Sequence, residues 1–328
     1  MANFAMLGKW HVHAPGYAME AKEAGGTCKA VWDPDFEVAK EWAAELGCEA
    51  IECLDELLAR DDIDSVLIGT TTATHHEVIM KAAKAKKHIF TEKTLAPTVA
   101  ECEDMAKAIS DAGVLFAISY PMRTAPTTLY AKQIVESGVL GQISLGRFRN
   151  AHGGSAQGWL PEYWYVKEDA CGGAMMDLGC HPMYIAAYLF GKPTRINSMY
   201  NSLYGRDIDD NAVNTIEFEN KAIAIVETSF VTPYCPWNFE IHGTKGSLFG
   251  TDDKIYITTE ATREETGSED PVEVKDLPAS LTAPVRNFID AVDGKATVHF
   301  GINDAIDLAR LLENAYIADA EGITVVIK

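Results

Sequence analysis

Two domains of different class are predicted: a Rossmann-type α/β domain over residues 1–120, and an α+β domain with a large, mostly antiparallel open sheet over residues 121–328. Up to residue 120, short apolar runs alternate with segments of helical length, a pattern typical of a parallel sheet with helices on both faces. Beyond it, extended runs follow one another across short turns, which indicates antiparallel pairing. A chain of 328 residues is long enough for two hydrophobic cores.

The composition narrows the range of partners. Lys and Arg number 28 against 48 Asp and Glu, and the net charge of −20 argues against binding nucleic acid or an anionic membrane surface. We expect no signal peptide, and no run reaches the roughly 18 apolar residues of a membrane-spanning helix. The seven cysteines are odd in number and form no CxxC pair. We therefore expect reduced thiols in a cytoplasmic protein.

In the first domain, apolar runs and the residues between them define the elements in order. Strands are expected at 3–7, 28–32, 65–68, 88–90 and 114–118. Helices are expected after the first strand and at 37–46, 75–85 and 99–111. Gly25 and Gly47 end the first two of these helices, as glycine does past a helix terminus. Strands connected through helices run parallel, so their carboxyl ends share one edge of the sheet, where ligands bind.

Polar residues follow the strands at that edge: Gly8, Asp33, Thr70 to Thr72, Glu92 and Lys93. Asp33 lies about twenty residues past the first turn, where a carboxylate accepts hydrogen bonds from the adenosine ribose and repels a 2′-phosphate. This favours NAD over NADP. Asp33 also fits a simpler role as a helix N-cap or turn residue. Lys93 is either a positive charge at the binding edge or a surface lysine in a loop.

The loop after the first strand departs from the G-x-G-x-x-G pattern of dinucleotide-binding turns, because Trp10 and His13 stand where the later glycines would be. His11 and His13 together raise the alternative of a metal site. The other histidines weighed for such a site are His75, His76 and His181. These histidines are scattered and lack a tight ligand motif. We therefore expect no metal, and expect the histidines to line a cofactor or substrate cleft or to pack.

The second domain has a different periodicity. The expected elements are, in order, a helix at 127–137, a strand at 142–151, an aromatic-rich loop at 152–170, a helix within 171–191, six extended runs between 196 and 257, an exposed charged loop at 260–269, and helices at 281–292 and 305–320. Extended runs joined by short turns indicate an antiparallel sheet.

The helix within 171–191 is expected to carry the chemistry of this domain. It follows Gly172-Gly173, interpreted as a flexible opening, and ends at Gly191. Asp177 and His181 are four residues apart, which on one helix places both on one face. Imidazole titrates near neutral pH and a carboxylate can orient it, so the pair suits proton transfer. The alternative is a buried histidine hydrogen-bonded to a nearby aspartate.

Two further positions are candidates for substrate contact. Trp164, in the aromatic loop with Trp159, Tyr163 and Tyr165, offers a flat apolar face for the C–H side of a sugar ring, although aromatic residues also pack loops. Arg123 follows the last strand of the first domain and suits a substrate carboxylate, with a structural salt bridge as the alternative.

Two segments carry a family resemblance: TEKTLAPTVAE at 91–101 and GGAMMDLGCHP at 172–182. They are similar to the Glu-Lys-Pro and Gly-Gly…Asp-x-Gly-x-His-Pro segments of the Gfo/Idh/MocA oxidoreductases, the family of glucose-fructose oxidoreductase and inositol dehydrogenase. Weaker similarities, GTTTATHHEV at 69–78 and HGTKGSL at 242–248, extend the resemblance over nearly the whole chain. One departure lies beside the first segment, since Thr94 stands where the family usually has proline.

The resemblance implies roles for individual residues. Lys93, Asp177 and His181 match the family's catalytic lysine, aspartate and histidine. The dinucleotide positions it implies are Gly8, Asp33, Thr70, Thr71, His75 and Glu92, to which the loop adds Trp10 and His11 and the strand end adds Lys93. Arg123, Trp164, Asp177 and His181 are the expected substrate contacts. The open sheet face would pair subunits as a homodimer or homotetramer.

The reaction implied is hydride transfer between NAD and a secondary alcohol of a sugar, polyol or glycoside. His181 takes the hydroxyl proton, Lys93 stabilises the oxygen as it becomes negative, and Asp177 orients His181 or a neighbouring hydroxyl. Two alternatives stay open. Transient oxidation by bound NAD would allow a redox-neutral elimination or glycoside cleavage. A non-catalytic dinucleotide-binding sensor would use the same fold without turnover.

Overall fold

The computed structural model describes residues 1–235 and 237–328. The chain divides into two compact units, which combine Met1–Tyr120 with Thr282–Ala309 and Pro121–Leu281 with Arg310–Lys328. The first part of the chain forms, in order, β1 (Asn3–Leu7), α1 (Ala14–Glu23), β2 (Thr27–Trp32), α2 (Phe36–Leu46), β3 (Glu49–Ala50), α3 (Leu54–Leu58), β4 (Ser65–Ile68), α4 (His75–Lys84), β5 (His88–Thr91), α5 (Val99–Ala112) and β6 (Phe116–Ile118).

The remaining elements are α6 (Pro126–Ser137), β7 (Ile143–Ala151), α7 (Lys167–Ala170), α8 (Ala174–Asp177), α9 (Cys180–Phe190), β8 (Pro193–Asn201), β9 (Asn211–Phe218), β10 (Ile223–Ser229), β11 (Asn238–Gly243), β12 (Ser247–Thr251), β13 (Ile255–Thr258), α10 (Glu260–Thr266), β14 (Val272–Glu273), α11 (Pro284–Val292), α12 (Ile302–Glu321) and β15 (Val325–Val326). Short 3-10 helices occupy Thr72–Thr74, Pro121–Thr124 and Glu162–Tyr165.

The first unit is built on a six-stranded sheet in the order β3-β2-β1-β4-β5-β6. Every pairing in it is parallel, and the central strands β1, β4 and β5 are almost wholly buried, as is typical of a parallel sheet covered by helices. Gly47 ends α2 with a left-handed φ of 72°, which glycine adopts without the steric penalty of a Cβ atom. The Rossmann-type prediction is confirmed, and the strand ends carry the candidate cofactor residues.

The second unit is built on a nine-stranded sheet in the order β14-β13-β12-β11-β7-β10-β9-β8-β15. Its pairings are antiparallel except for β7 with β10, which run parallel. One face packs against α9, where Phe148 of β7 lies 5.5 Å from Phe190, ring centre to ring centre. The other face carries exposed apolar side chains. The predicted α+β domain with a mostly antiparallel open sheet is confirmed.

The assignment of residues 282–309 to the second domain is wrong. This segment belongs to the first unit, where α11 packs against α1, β5 and β6. Val285, Phe288 and Ile289 are buried in the core of that unit, and the Phe288 ring centre lies 5.7 Å from that of Phe90. The apolar stripe of α11 predicts a buried face but does not identify the sheet that buries it.

The expected loop at 260–269 is also wrong, because α10 occupies most of it. The Thr259 hydroxyl accepts a hydrogen bond from the Thr262 N–H at 3.2 Å, and the Thr262 hydroxyl accepts one from the Thr259 N–H at 2.8 Å. This capping box starts the helix, and Gly267 ends it with a left-handed φ. The capping box therefore starts a helix in this segment, even though the segment is charged and exposed.

Across residues 1–235 and 237–328, no helix has both the length and the apolar character needed to cross a lipid bilayer. All seven cysteines carry free thiols. The sulfur atoms of Cys28 and Cys48 lie 3.6 Å apart.

Candidate active site

The loop after β1 brings Gly8 against Thr70. Gly8 has a φ of 83°, and a Cβ atom there would lie 2.5 Å from Cγ2 of Thr70, so only glycine fits. The Gly8 N–H donates to the Trp32 carbonyl and the His11 N–H donates to the Gly69 carbonyl, which fixes the loop over the ends of β2 and β4. The ring of Trp10 lies 6.1 Å from that of His11.

Asp33 at the end of β2 accepts two backbone hydrogen bonds. Its Oδ2 accepts from the Lys9 N–H at 2.8 Å and its Oδ1 accepts from the Asp35 N–H at 2.9 Å. The second contact is a local turn, but the N-cap of α2 is Asp35 rather than Asp33. The Asp33 side chain is half-exposed, so its remaining lone pairs face a place that solvent or a ligand reaches.

His75 is buried at the start of α4 and fastens the segment after Lys93. Its Nδ1 lies 3.0 Å from the Thr94 carbonyl and 3.1 Å from the Leu95 carbonyl. Burial lowers the pKa of His75, which keeps the imidazole neutral. Carbonyl oxygens only accept hydrogen bonds, so Nδ1 carries the proton and Nε2 presents an acceptor lone pair. In the neighbouring loop the Thr71 and Thr74 hydroxyls lie 3.0 Å apart.

The carboxylate of Glu92, directly after β5, is fully buried and surrounded by donors. Its Oε1 accepts from the Tyr17 hydroxyl and lies 2.5 Å from Nδ1 of His13 and 3.2 Å from Nδ1 of His11. Its Oε2 accepts from the Lys93 N–H at 2.6 Å. Burial by itself raises the pKa of Glu92, but the positive charges of His11, His13 and Lys93 outweigh it and hold that pKa well below its usual range.

Tyr17 completes this cluster from α1. Burial and the charge of Glu92 raise the pKa of Tyr17 well above its ordinary value, so the phenol stays protonated and acts as a donor. Its hydroxyl oxygen also lies 2.9 Å from the Ser119 hydroxyl. Sequence reasoning missed Tyr17 and the carboxylate contact of His13, because no spacing rule joins α1 to the end of β5.

Lys93 follows Glu92 and is 4% exposed, so its interpretation as a surface loop lysine is wrong. Glu92 anchors its backbone, and the peptide bond between Lys93 and Thr94 is cis.

In the second unit, Asp209 holds the segment that leads to Asp177. Its buried carboxylate accepts from the Gly173 N–H at 2.9 Å, the Met175 N–H at 2.7 Å and the Tyr316 hydroxyl at 2.8 Å. A Cβ atom on Gly173 would lie 2.1 Å from the Asp209 carbonyl oxygen. The interpretation of Gly172-Gly173 as a flexible opening is therefore wrong: both glycines are buried, and close backbone approach requires the second.

Asp177 and His181 do not share one helix. Asp177 is the last residue of α8, and His181 is the second residue of α9. Gly179 separates the two helices, and a Cβ atom there would lie 2.7 Å from both Sδ of Met175 and Cγ2 of Thr228. The tight packing against β10 accounts for glycine at this turn, and the argument from i, i+4 spacing on a single helix is wrong.

Each member of the pair has its own partner. The Trp164 indole N–H donates to Oδ2 of Asp177 at 3.2 Å, and Trp164 itself is buried. Nδ1 of His181 lies 2.8 Å from the Tyr184 hydroxyl, which also accepts from the Met122 N–H at 3.3 Å. Sequence reasoning missed Tyr184, although an i, i+3 spacing from His181 is a signal that can be read on a helix.

The other predicted substrate residues lie in different surroundings. The Arg123 guanidinium sits 4.4 Å above the ring of Tyr188 in a cation–π contact. Trp159 is 55% exposed and packs on His152, and Tyr163 is also exposed. Tyr165 is covered by Arg206 at 3.5 Å.

Comparison with known proteins identifies the family. Residues 3–120 match the model of an oxidoreductase family with an NAD-binding Rossmann fold, and residues 128–249 match the GFO/IDH/MocA C-terminal domain. The chain belongs to the GFO/IDH/MocA oxidoreductases. The predictions of an NAD-dependent oxidoreductase and of NAD as its cofactor are thereby confirmed.

Individual relatives and a solved structure support this assignment. The chain is 31% identical over 245 residues to scyllo-inositol 2-dehydrogenase (NAD(+)) of Bacillus subtilis (strain 168), covering 72% of this chain and 67% of that one. It is 26% identical over 238 residues to 1,5-anhydro-D-fructose reductase of Ensifer adhaerens, covering 70% and 69%. A solved levoglucosan dehydrogenase in complex with NADH and L-sorbose has the same fold, with a TM-score of 0.89, 22% identity and coverage of 100% and 99%.

The residues at the sheet edge fit the cofactor of the family. The Thr70 hydroxyl and Nε2 of His75 are buried and have no hydrogen-bond partner within residues 1–235 and 237–328. Buried polar atoms left in this way are normally satisfied by a ligand or by water. The half-exposed Asp33 carboxylate adds acceptors suited to ribose hydroxyls. The loop departs from the G-x-G-x-x-G pattern just before α1. His13 stands there at a glycine position of the pattern, and its ring contacts the Glu92 carboxylate.

Replacing Gly173 with alanine tests the close approach that positions α8. The added methyl group would collide with the Asp209 backbone, so we expect Gly173→Ala to lower the free energy of unfolding by about 1–3 kcal/mol. Gly16 in α1 has open space around it, and Gly16→Ala should instead raise that free energy by about 0.5–1 kcal/mol. Urea unfolding followed by circular dichroism measures both. Equal small effects would show that the tight contact at Gly173 is not required.

Proposed function

We propose that this protein is a dehydrogenase that transfers a hydride between NAD and a secondary alcohol of a sugar, polyol or glycoside, with Lys93, Asp177 and His181 as the reacting side chains. The proposal rests on one observation: in this member of the GFO/IDH/MocA family, a hydrogen bond anchors each of the three residues. Glu92 holds the Lys93 backbone, Trp164 donates to Asp177, and Tyr184 contacts His181. The Lys93 backbone and the Asp177 and His181 side chains are therefore held in place before a substrate binds, which lowers the entropy lost in positioning them.

His181 is the proposed general base. The Tyr184 oxygen has two lone pairs, so it can accept both from the Met122 N–H and from a proton on Nδ1 of His181. In that tautomer the basic lone pair is on Nε2, which would take the hydroxyl proton. Proton transfer of this kind contributes roughly 10²–10⁴ in rate. When bound, the nicotinamide accepts the hydride from the same carbon.

Lys93 and Asp177 have complementary proposed roles. Lys93 supplies positive charge where the substrate oxygen becomes negative, so its contribution is largest in the transition state. Asp177, oriented by the Trp164 indole, accepts a hydrogen bond from a neighbouring substrate hydroxyl, because the single N–H of neutral His181 is directed at Tyr184. Arg123 and Trp164 are proposed to line the substrate site.

The proposed cofactor contacts come from the strand ends and the loops after them. They are Gly8, Trp10, His11, Asp33, Thr70, Thr71, His75, Glu92 and Lys93. Asp33 supports NAD over NADP, because a second negative charge beside its carboxylate would be repelled.

A carbohydrate or polyol substrate is supported by the names of the relatives. One acts on scyllo-inositol, another is a reductase of 1,5-anhydro-D-fructose, and the similar fold is that of a levoglucosan dehydrogenase. The redox-neutral elimination and the non-catalytic sensor are not favoured, since these three relatives are named for dehydrogenation or reduction, although a further relative of Escherichia coli (strain K12), 28% identical, is named a 2,7-anhydro-N-acetylneuraminate hydratase.

We also propose a homodimer or homotetramer in the cytoplasm. The outer face of the nine-stranded sheet carries exposed apolar side chains at Leu145, Met199, Val213 and Ile223, on four adjacent strands. Such a patch is typical of a subunit interface. The seven free thiols support a reducing compartment.

A substrate screen tests the proposed reaction. Polyols, sugars and glycosides are incubated with NAD or NADP, and the absorbance of the reduced nicotinamide is followed. We expect NADH to accumulate with at least one polyol or sugar, and NAD to be preferred over NADP. Product formed without NADH would instead support the redox-neutral reaction, and cofactor binding without any turnover would support the sensor.

Substituting His181 tests the base directly. His181→Ala should reduce turnover by roughly 10²–10⁴-fold, because proton transfer is lost, and should leave NAD affinity nearly unchanged. Turnover is measured by NADH absorbance and affinity by NADH fluorescence. His242→Ala, at a half-buried histidine of β11 bonded to Ser247, is the matched control and should keep normal turnover. Equal turnover in both variants would contradict the assignment.

Tyr184 is proposed as a positioning residue for His181. Tyr184→Phe keeps the ring but removes the hydroxyl, so we expect kcat to fall by about tenfold with little change in KM, and the limiting pKa in the kcat–pH profile to shift. Tyr130→Phe in α6 is the control and should leave the profile unchanged. A stability loss without any change in the pH profile would mean that Tyr184 only supports packing.

A further inference from the structure

Two histidines and a carboxylate meet beneath the loop after β1. His11 and His13 come from a His-x-His segment, and Glu92 follows β5. One nitrogen of each imidazole and one carboxylate oxygen all lie within 4.8 Å of one another. His11 and Glu92 are buried, whereas the His13 side chain is 48% exposed. All three residues belong to the first unit.

This donor set is suited to a transition metal ion. Imidazole nitrogen and carboxylate oxygen bind Zn²⁺ at about 2.0–2.2 Å, and three protein ligands leave a fourth position for water or another ligand. Glu92 also has the outer contacts that a ligating carboxylate needs, because the Tyr17 hydroxyl and the Lys93 N–H donate to its oxygens. These donors would hold the carboxylate in place whether or not an ion is bound.

The distances between the ligand atoms show which side chain would have to move when an ion binds. Two ligands on one ion lie roughly 3.0–3.4 Å apart for bonds of this length. The distance from Nδ1 of His11 to Oε1 of Glu92 is already 3.2 Å, whereas that from Nδ1 of His13 is 2.5 Å. The exposed ring of His13 would therefore have to withdraw from Oε1 of Glu92, whereas the spacing between His11 and Glu92 already fits. An ion would replace the proton shared by Nδ1 of His13 and Oε1 of Glu92, and Nδ1 of His11, which now accepts from the His13 N–H at 3.3 Å, would turn its lone pair to the ion.

We propose that His11, His13 and Glu92 form a binding site for one divalent transition metal ion, with Zn²⁺ as the best match. The sequence predicts no metal, because its histidines are scattered and lack a tight ligand motif, and Glu92 lies far from His11 and His13 in the chain. The site lies in the first unit, and its ligand Glu92 directly precedes Lys93 in the chain. Two of its residues, His11 and Glu92, are also proposed NAD contacts. Ion binding and cofactor binding are therefore measured in separate titrations.

Calorimetric titration of the full chain with ZnCl₂, after EDTA treatment and desalting, tests the site. We expect one equivalent of Zn²⁺ per chain with a dissociation constant in the micromolar range or below, and metal analysis should give the same stoichiometry. His13→Ala should weaken binding by at least tenfold, and the double variant His11→Ala/His13→Ala should abolish it. His13→Gln, which removes the ligand at an exposed position, repeats the test if the buried His11 variant fails to fold.

Two controls separate this site from other ligands. His76→Ala removes an exposed histidine paired with Asp104 and should leave Zn²⁺ affinity unchanged. Cys48→Ser removes a thiol of the Cys28–Cys48 pair and should do the same, and the Co²⁺ complex should lack a sulfur charge-transfer band. Zn²⁺ binding that survives in the double variant, or that is lost equally in His76→Ala or Cys48→Ser, overturns the proposal. NADH fluorescence titration of the same variants reports the cofactor site separately.

Discussion

A fully buried carboxylate must be met by donors, and Glu92 is the carboxylate on which the first unit's site depends. Its two oxygens take donors from α1, from the loop after β1 and from its own neighbour Lys93. Removing water from a charge costs several kcal/mol unless hydrogen bonds replace the lost hydration. The ionised state of Glu92 is therefore stabilised by its contacts with Tyr17, His13 and the Lys93 N–H at the binding edge.

The second unit also contains a buried carboxylate that holds a backbone segment in place. Asp209 accepts from the backbone of Gly173 and Met175 and from the Tyr316 hydroxyl, and so fixes the start of the short helix that ends at Asp177. Burial raises the pKa of Asp209 even though all these donors lower it, which shows how strongly the site is desolvated. In each unit, a proposed reacting side chain follows a backbone segment held by a buried acid.

Much of this architecture was predictable because it depends on local periodicity. Alternating apolar runs located the parallel strands, and the strand ends located Gly8, Asp33, Thr70 and Glu92. What local patterns do not contain is the identity of distant partners. The contact of Glu92 with His13 and Tyr17 joins residues more than seventy positions apart, and Asp209 lies on a loop that no motif marks. The helix cap at Thr259 is not predicted because the segment after it is highly charged. The turn at Gly179 is not predicted because the i, i+4 spacing of Asp177 and His181 indicates a single helix.

The return of α11 to the first unit has a consequence for dissecting the molecule. Phe90 and its neighbours are covered by Val285, Phe288 and Ile289, which come from a point in the chain more than 160 residues beyond Tyr120. A fragment truncated at Tyr120 would leave that apolar surface open to water and prone to aggregate. An isolated nucleotide-binding module would need the 282–309 segment spliced back to it, so the two halves of this polypeptide are not separable by a single cut.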